Sequence, residues 1–141
     1  PYGWGRIVAR KAGAGVKADG RKTVVLASSV MHRYGPLHVG SVMRGERMTP
    51  FGMRDSVKIR DIIAGSSLPR VLRDDVPVVR AGAVPVWIPG IRASELLRVD
   101  YGGTGVQRRE EIFCLSYVDG IPGQPESPES IEVKRLKQGK Q

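Results

Sequence analysis

The sequence predicts an α+β domain of many short strands with one or two short packed helices, and three observations point there. The chain has 18 Gly and 10 Pro in 141 residues, enough turn-formers to cut it into short pieces. Runs rich in Val, Ile and Leu recur between those turns, each about as long as a strand. Only one segment, around Ile59, Ile62 and Ile63, repeats its apolar residues at i, i+3, i+4 as a helix does. With 40% hydrophobic residues the chain can fill a core, and its length fits one domain, at most with an appendage.

Taken in order, residues 6–11 (RIVARK) and 23–27 (TVVLA) read as strands joined by a long, mobile, basic loop, an antiparallel hairpin. Tyr34-Gly35-Pro36 signals a turn before a third strand over 37–42. The helix is expected to start at Asp55 or Ser56, either of which can cap its first turn, and to end at Gly65. Lys58 and Arg60 would flank its apolar stripe, with a weak pair between Lys58 and Asp61. A second short turn opens on Pro69. Strands follow at 77–80, 84–88 and 96–99, punctuated by Ala81-Gly82 and Pro89-Gly90, and a last one at 112–118. Trp87, between Val86 and Ile88, reads as core, and Cys114 as a small buried residue. The stretch GIPGQPESPES over 120–130 reads as a linker without fixed structure, and EVKRLKQGKQ as a basic tail ordered only by a partner.

Charge narrows the function. The net charge is +9, unevenly spread: residues 1–48 hold nine Lys/Arg against two acids, whereas 101–141 balance. Such a basic balance suits a phosphate-bearing partner, because each cation placed on a phosphate releases condensed counterions. A single cysteine excludes an internal disulfide and a Cys-based zinc site. No apolar run approaches the ~20 residues needed to span a bilayer, and no signal peptide is visible. The chain begins at Pro1 rather than Met, as a fragment or processed product would.

No catalytic set emerges. Gly15 to Thr23 nearly matches a phosphate-binding loop, but Arg21 intrudes between the second Gly and Lys22, and a strand follows where that motif needs a helix. His32 and His38 lack cysteine or paired carboxylate neighbours, so no metal ligands are assigned. Ser28 and Ser29 lack a nucleophile elbow. Glu110-Glu111 beside Arg108-Arg109 reads as a solvated charge cluster. No cofactor is expected.

The basic residues between positions 44 and 73 are more telling. Arg44 and Arg47 flank the turn at Gly45, Lys58 and Arg60 belong to the predicted helix, and Arg70 and Arg73 to the turn after it. If Ile59, Ile62, Ile63, Leu68 and Leu72 share a core, these charged ends emerge on one surface and can track phosphates. Asp55, Asp61, Asp74 and Asp75 would consume part of that charge, which leaves an ordinary salt-laced surface as the competing reading. Aromatic residues make up only 6%, too few for a single-strand stacking platform, so contact with a duplex by shape and backbone is favoured.

Four segments in fixed order then carry a resemblance. They are Met43-Arg44-Gly45-Glu46-Arg47-Met48-Thr49-Pro50-Phe51-Gly52-Met53, Lys58-Ile59-Arg60-Asp61-Ile62-Ile63, residues 68–79 (LPRVLRDDVPVV), and Val86-Trp87-Ile88-Pro89-Gly90. Over about residues 5–100 the chain resembles the C-terminal domain of the bacterial tRNA(Ile)-lysidine synthetase family. That family's full-length enzymes use ATP to join lysine to the wobble cytidine of an isoleucine tRNA. A separate N-terminal domain with an S-G-G-x-D-S loop performs that chemistry. The resemblance implies a mixed β-sandwich with packed helices, similar to a domain of bacterial phenylalanyl-tRNA synthetase, that grips the tRNA acceptor stem. By position, Arg44, Arg47, Lys58, Arg60, Arg70 and Arg73 would form the grip.

This chain departs from the pattern in four ways. The S-G-G-x-D-S loop is absent, Glu46 replaces the family's usual Asp, Val57 replaces its first helix lysine, and 101–141 run past its usual end. The expectation is therefore a noncatalytic RNA-binding module of three parts: a β-rich lead-in over 1–40, the binding domain over 41–119, and a linker with basic tail over 120–141. Its partner would be a tRNA acceptor stem, beside a catalytic domain, in a bacterial cytoplasm. The alternative is a structural subunit on ribosomal RNA, among other proteins, in a mitochondrial or other organellar ribosome. A third is an unrelated basic protein-interaction domain. No membrane partner is expected.

Overall fold

A computed structural model describes residues 5–12, 18–98, 111–119 and 131–135. Strands and helices alternate in the order β1 (Gly5–Ala12), β2 (Thr23–Ala27), α1 (Ser28–Tyr34), β3 (Leu37–Ser41), β4 (Arg47–Met48), β5 (Val57–Lys58) and α2 (Ile59–Ala64). A 3-10 turn over Arg70–Asp75 leads into β6 (Pro77–Ala81), β7 (Val84–Ile88) and β8 (Arg92–Ala93). A second 3-10 turn (Glu95–Leu97), β9 (Ile112–Asp119) and β10 (Ile131–Arg135) complete the order.

Two four-stranded antiparallel sheets, β10-β1-β9-β2 and β3-β6-β7-β8, share one core, and β4-β5 form a small separate ladder. Ile7, Val24, Leu26, Leu115 and Tyr117 of the first sheet pack against Val79, Ala81, Val86 and Trp87 of the second. This is the predicted α+β sandwich with short helices. A second cluster gathers Met48, Ile59, Ile63, Val76, Val78 and Ile88, with Val42, Ile62, Leu68 and Ile91 against it. Strand β6 divides the two clusters. Successive strand residues face opposite ways, so Val79 and Ala81 enter the first cluster and Val78 the second.

Several expectations are corrected. Residues 6–11 and 23–27 do form strands, but not a hairpin: β9 lies between β1 and β2 and pairs with both. The eight-residue β9 satisfies both edges, a partner some ninety residues downstream that local turn signals do not announce. The helix starts later than Asp55 or Ser56. Its N-cap is Lys58, extended (φ −61°, ψ 133°) and without a side-chain cap, so only Arg60 of the expected basic pair is helical. Lys58 is instead held in the β4-β5 ladder. No strand occupies 96–98; a 3-10 turn capped by the Ser94 hydroxyl stands there, and Val99 lies outside the described residues. Helix α1 goes unforeseen because its apolar face is short: Val30 is its one buried residue, with Met31 and Tyr34 packed beside it. Cys114 is half-buried rather than buried. The charge cluster at Arg108-Arg109-Glu110 and the stretch 120–130 also lie outside the described residues.

The turn between β6 and β7 shows why glycine is required there. Gly82 has φ +60°, and a Cβ on it would sit 1.9 Å from the Tyr34 carbonyl oxygen. The end of α1 and this turn thus meet backbone to backbone, with Gly82 N–H donating to the Pro36 carbonyl at 2.9 Å. No helix among the described residues is long and apolar enough to cross a membrane.

Candidate nucleic-acid interface

The six basic residues expected to form the grip fall into two groups and one outlier. Arg47 and Lys58 are direct partners across the β4-β5 ladder, so their side chains rise from the same face. Arg47 is braced there: Nε donates to Ser56 Oγ at 2.8 Å and Nη2 to the Ser56 carbonyl at 2.9 Å. The ladder continues through Ile59 N–H to the Glu46 carbonyl at 2.9 Å, which fixes β5 and the start of α2 together.

Arg60, Arg70 and Arg73 form the second group, around one open recess of about 580 Å³ whose walls also include Val42, Ile63 and Asp74. Ile63 anchors the floor because it belongs to the second core cluster. Arg73 is tethered by Nε to the Leu68 carbonyl at 3.2 Å. Arg60 Nη1 lies 4.0 Å from Asp74 Oδ1 with both side chains largely in water, a loose ion pair. Leu72 is half-buried and is not part of the cluster that holds the other predicted core residues.

Arg44 stands apart, in the turn before β4 where Gly45 has φ +76°. The side chains of Arg44, Lys58 and Arg70 are exposed and make no hydrogen bond or ion pair to another described residue.

The turn that carries Arg44 is rigid because of a neighbour the basic pattern did not single out. Glu46 is buried against Arg80, with Nε 2.7 Å from Oε2 and Nη2 2.6 Å from Oε1, and it also accepts the Met43 N–H at 3.0 Å. Burial pushes the Glu46 carboxyl up, but the bonds from Arg80 and Met43 and the guanidinium charge outweigh it, so its pKa sits below the ordinary value. Arg80 is thus a structural cation rather than a surface one. No periodicity announced this, since β6 reads as an ordinary apolar strand with one charge.

Phe51 is the other residue missed. It is 42% exposed at the tip of the turn after β4, with Arg98 stacked 4.4 Å from its ring centre. Arg98 is held in turn by Glu95, whose Oε1 also accepts the Gly52 N–H at 2.6 Å. Its signal was the position of an aromatic between Pro50 and Gly52, a turn tip where burial is difficult.

The near-match to a phosphate-binding loop has a physical resolution. Asp19 Oδ1 accepts the backbone N–H groups of Arg21, Lys22 and Thr23 at 2.8, 2.9 and 3.0 Å. Donors that could have cradled a phosphate are occupied by the chain's own carboxylate. These bonds, Arg21's first and then Thr23's, hold the Asp19 pKa below the usual range. The Arg21 carbonyl in turn accepts Trp87 Nε1–H at 2.7 Å, so this loop closes over the core. Among the described residues no three His, Cys, Asp or Glu side chains are grouped to hold a metal ion.

Comparison with known proteins places these features in a family context. Residues 37–109 match the family model described as the TilS substrate C-terminal domain. A tRNA(Ile)-lysidine synthase of Symbiobacterium thermophilum is 40% identical over 68 residues, covering 48% of this chain and 14% of that protein. A bifunctional TilS/HprT protein of Listeria innocua is 38% identical over 90 residues, covering 62% of this chain and 13% of that protein. The chain therefore spans about one seventh of the length of these relatives. A crystal structure of a TilS C-terminal domain superposes with a TM-score of 0.65 at 26% identity, covering 83% of this chain and 85% of that one.

Proposed function

Because this chain belongs to the TilS substrate C-terminal domain family, we propose that it is a noncatalytic tRNA-holding module that works beside a catalytic domain. Its relatives are named tRNA(Ile)-lysidine synthases, and the duplex part of a tRNA, its acceptor stem, is the target its surface suits. In this reading residues 41–119 carry the contact surface and 1–40 support it, in a bacterial cytoplasm; the expected loose tail is corrected in part, because Ile131–Arg135 form β10 and pair with β1. The organellar-ribosome alternative finds no support in these relatives.

One observation carries the proposal. Arg47 and Lys58 share one face of a braced ladder, while Arg60, Arg70 and Arg73 ring a recess built on the same apolar cluster. Met48 of β4, Ile59 and Ile63 of α2 and Val76 all enter that cluster, so both cation groups ride on one stiff base. Stiff cations suit the regular backbone of an RNA helix, where recognition is by shape and phosphate contact.

The test is equilibrium binding of the 141-residue chain to a tRNA transcript across a salt series. Phosphate contact predicts log K falling linearly with log salt, by roughly 0.9 per neutralised phosphate on a duplex. Absent or salt-independent binding would remove RNA as the partner.

A further inference from the structure

Within that RNA-binding reading, we infer that the recess ringed by Arg60, Arg70 and Arg73 receives a phosphorylated strand end, a nucleotide bearing a phosphomonoester, rather than internal phosphodiesters. Three features separate the two ligands. Shape comes first. The side of an RNA helix is convex and presents its phosphates one at a time, which suits the Arg47–Lys58 ladder. A concavity of about 580 Å³ is filled only by something that protrudes, and it falls within the volume range of small-ligand sites.

Charge is the second feature. Three guanidinium groups against the single Asp74 carboxylate leave a net charge of two around one cavity. An internal phosphodiester carries one negative charge, whereas a phosphomonoester above its second pKa of about 6 approaches two. The recess therefore matches the monoester and over-supplies the diester.

Pre-organisation is the third. Arg73 is tethered through Nε to the Leu68 carbonyl, which leaves its two terminal nitrogens available. Arg70 has no partner among the described residues, and Arg60 is only 4.0 Å-paired with Asp74. Planar guanidinium forks bind phosphate oxygens in pairs. Val42 and Ile63 supply apolar wall for the sugar or base of the same nucleotide.

The experiment compares three RNA duplexes of one sequence, ending in a 5′-hydroxyl, a 5′-monophosphate or a 3′-monophosphate, each bound to the full chain and to Arg70→Gln. A terminal phosphate is expected to tighten binding roughly tenfold at pH 7.5, as a charge-assisted contact should. That gain should collapse towards unity in Arg70→Gln and at pH 5.5, where the monoester takes up a proton. Whichever end gives the gain identifies the strand that enters. Equal binding of all three duplexes overturns the strand-end inference and leaves the RNA reading intact. Failure of every duplex to bind ends both. Arg70 is exposed and unbonded, so an unchanged melting curve for the variant is expected and confirms that it is folded.

Discussion

Arg80 and Glu46 lie fork to fork across 34 positions of sequence, their side chains only 3% and 8% exposed. Arg80 Nη2 also donates to the Ser41 carbonyl at 2.6 Å, so one guanidinium ties the end of β3 and the turn after it to β6. The exposed Arg44 and the braced Arg47 sit immediately either side of Gly45-Glu46. The backbone between them is therefore pinned by a buried ion pair, to which Arg47 adds its own bonds to Ser56.

Removing one partner of such a pair leaves the other charged and buried, which typically costs about 3–5 kcal/mol. Glu46→Ala is expected to lose stability of that order in chemical denaturation, well beyond an exposed-charge change such as Arg44→Ala. The pH dependence has a definite sign. The folded Glu46 pKa lies below its ordinary value of 4.5, so its contribution is complete above that value and is lost as pH falls through the folded pKa. Acid denaturation curves of wild type and Glu46→Gln should therefore converge below pH 4.5. Curves separated by the same amount at all pH values would show that the carboxylate's charge is irrelevant.

Trp87 is fully buried and is the largest side chain of the main core. Deleting a buried aromatic costs roughly 3–5 kcal/mol, and Trp87→Ala should lower the melting temperature accordingly. Trp87→Phe keeps most of the packing and removes one of the two hydrogen bonds at the Arg21 carbonyl, which still accepts the Gly90 N–H at 2.8 Å. Its cost should be smaller, about 0.5–1.5 kcal/mol for the one hydrogen bond lost. An Ala variant that melts like wild type would contradict the burial of this ring.

Gly82→Ala tests the contact between α1 and the β6–β7 turn. The new Cβ meets the Tyr34 carbonyl, a backbone atom that cannot rotate away, in a conformation that L side chains rarely adopt. A loss on the order of 3 kcal/mol is expected, with the mechanism being strain and overpacking. Gly20→Ala is the control. It shares a positive φ of 79° but has open space around its Cβ site, so only the backbone cost, near 1 kcal/mol, should appear.

Much of the sandwich was legible because burial imposes a period on the residues that form it. Val24 and Leu26 in β2, and the apolar run around Trp87, could hardly belong to anything but strands. Sheet order was not legible. Nothing within residues 6–27 reveals that β9 separates β1 from β2, since long-range pairing leaves no local trace. The cation set was legible as composition and spacing, but its division was not. That division depends on Lys58 pairing across to Arg47 instead of entering the helix with Arg60. Arg80 was hidden for a related reason, because the carboxylate that neutralises it lies 34 positions upstream.

Lys58 offers the sharpest separation of binding from folding. It lies directly opposite Arg47, and like charges so placed in a ladder are destabilising by a few tenths of a kcal/mol. Arg47 is already engaged by Ser56, and Lys58 has no partner among the described residues, so folding gains nothing from its ammonium group. Lys58→Ala should therefore hold or slightly raise the melting temperature. If the ladder touches phosphate, the same change should weaken RNA binding and reduce the salt slope by roughly 0.9, and adding Arg60→Ala should roughly double that reduction. Opposite signs for stability and affinity are difficult to obtain from a structural role alone. An unchanged salt slope in the double variant would place both the ladder and α2 outside the RNA footprint, and would leave only Arg44, Arg70 and Arg73 of the original six to carry contact.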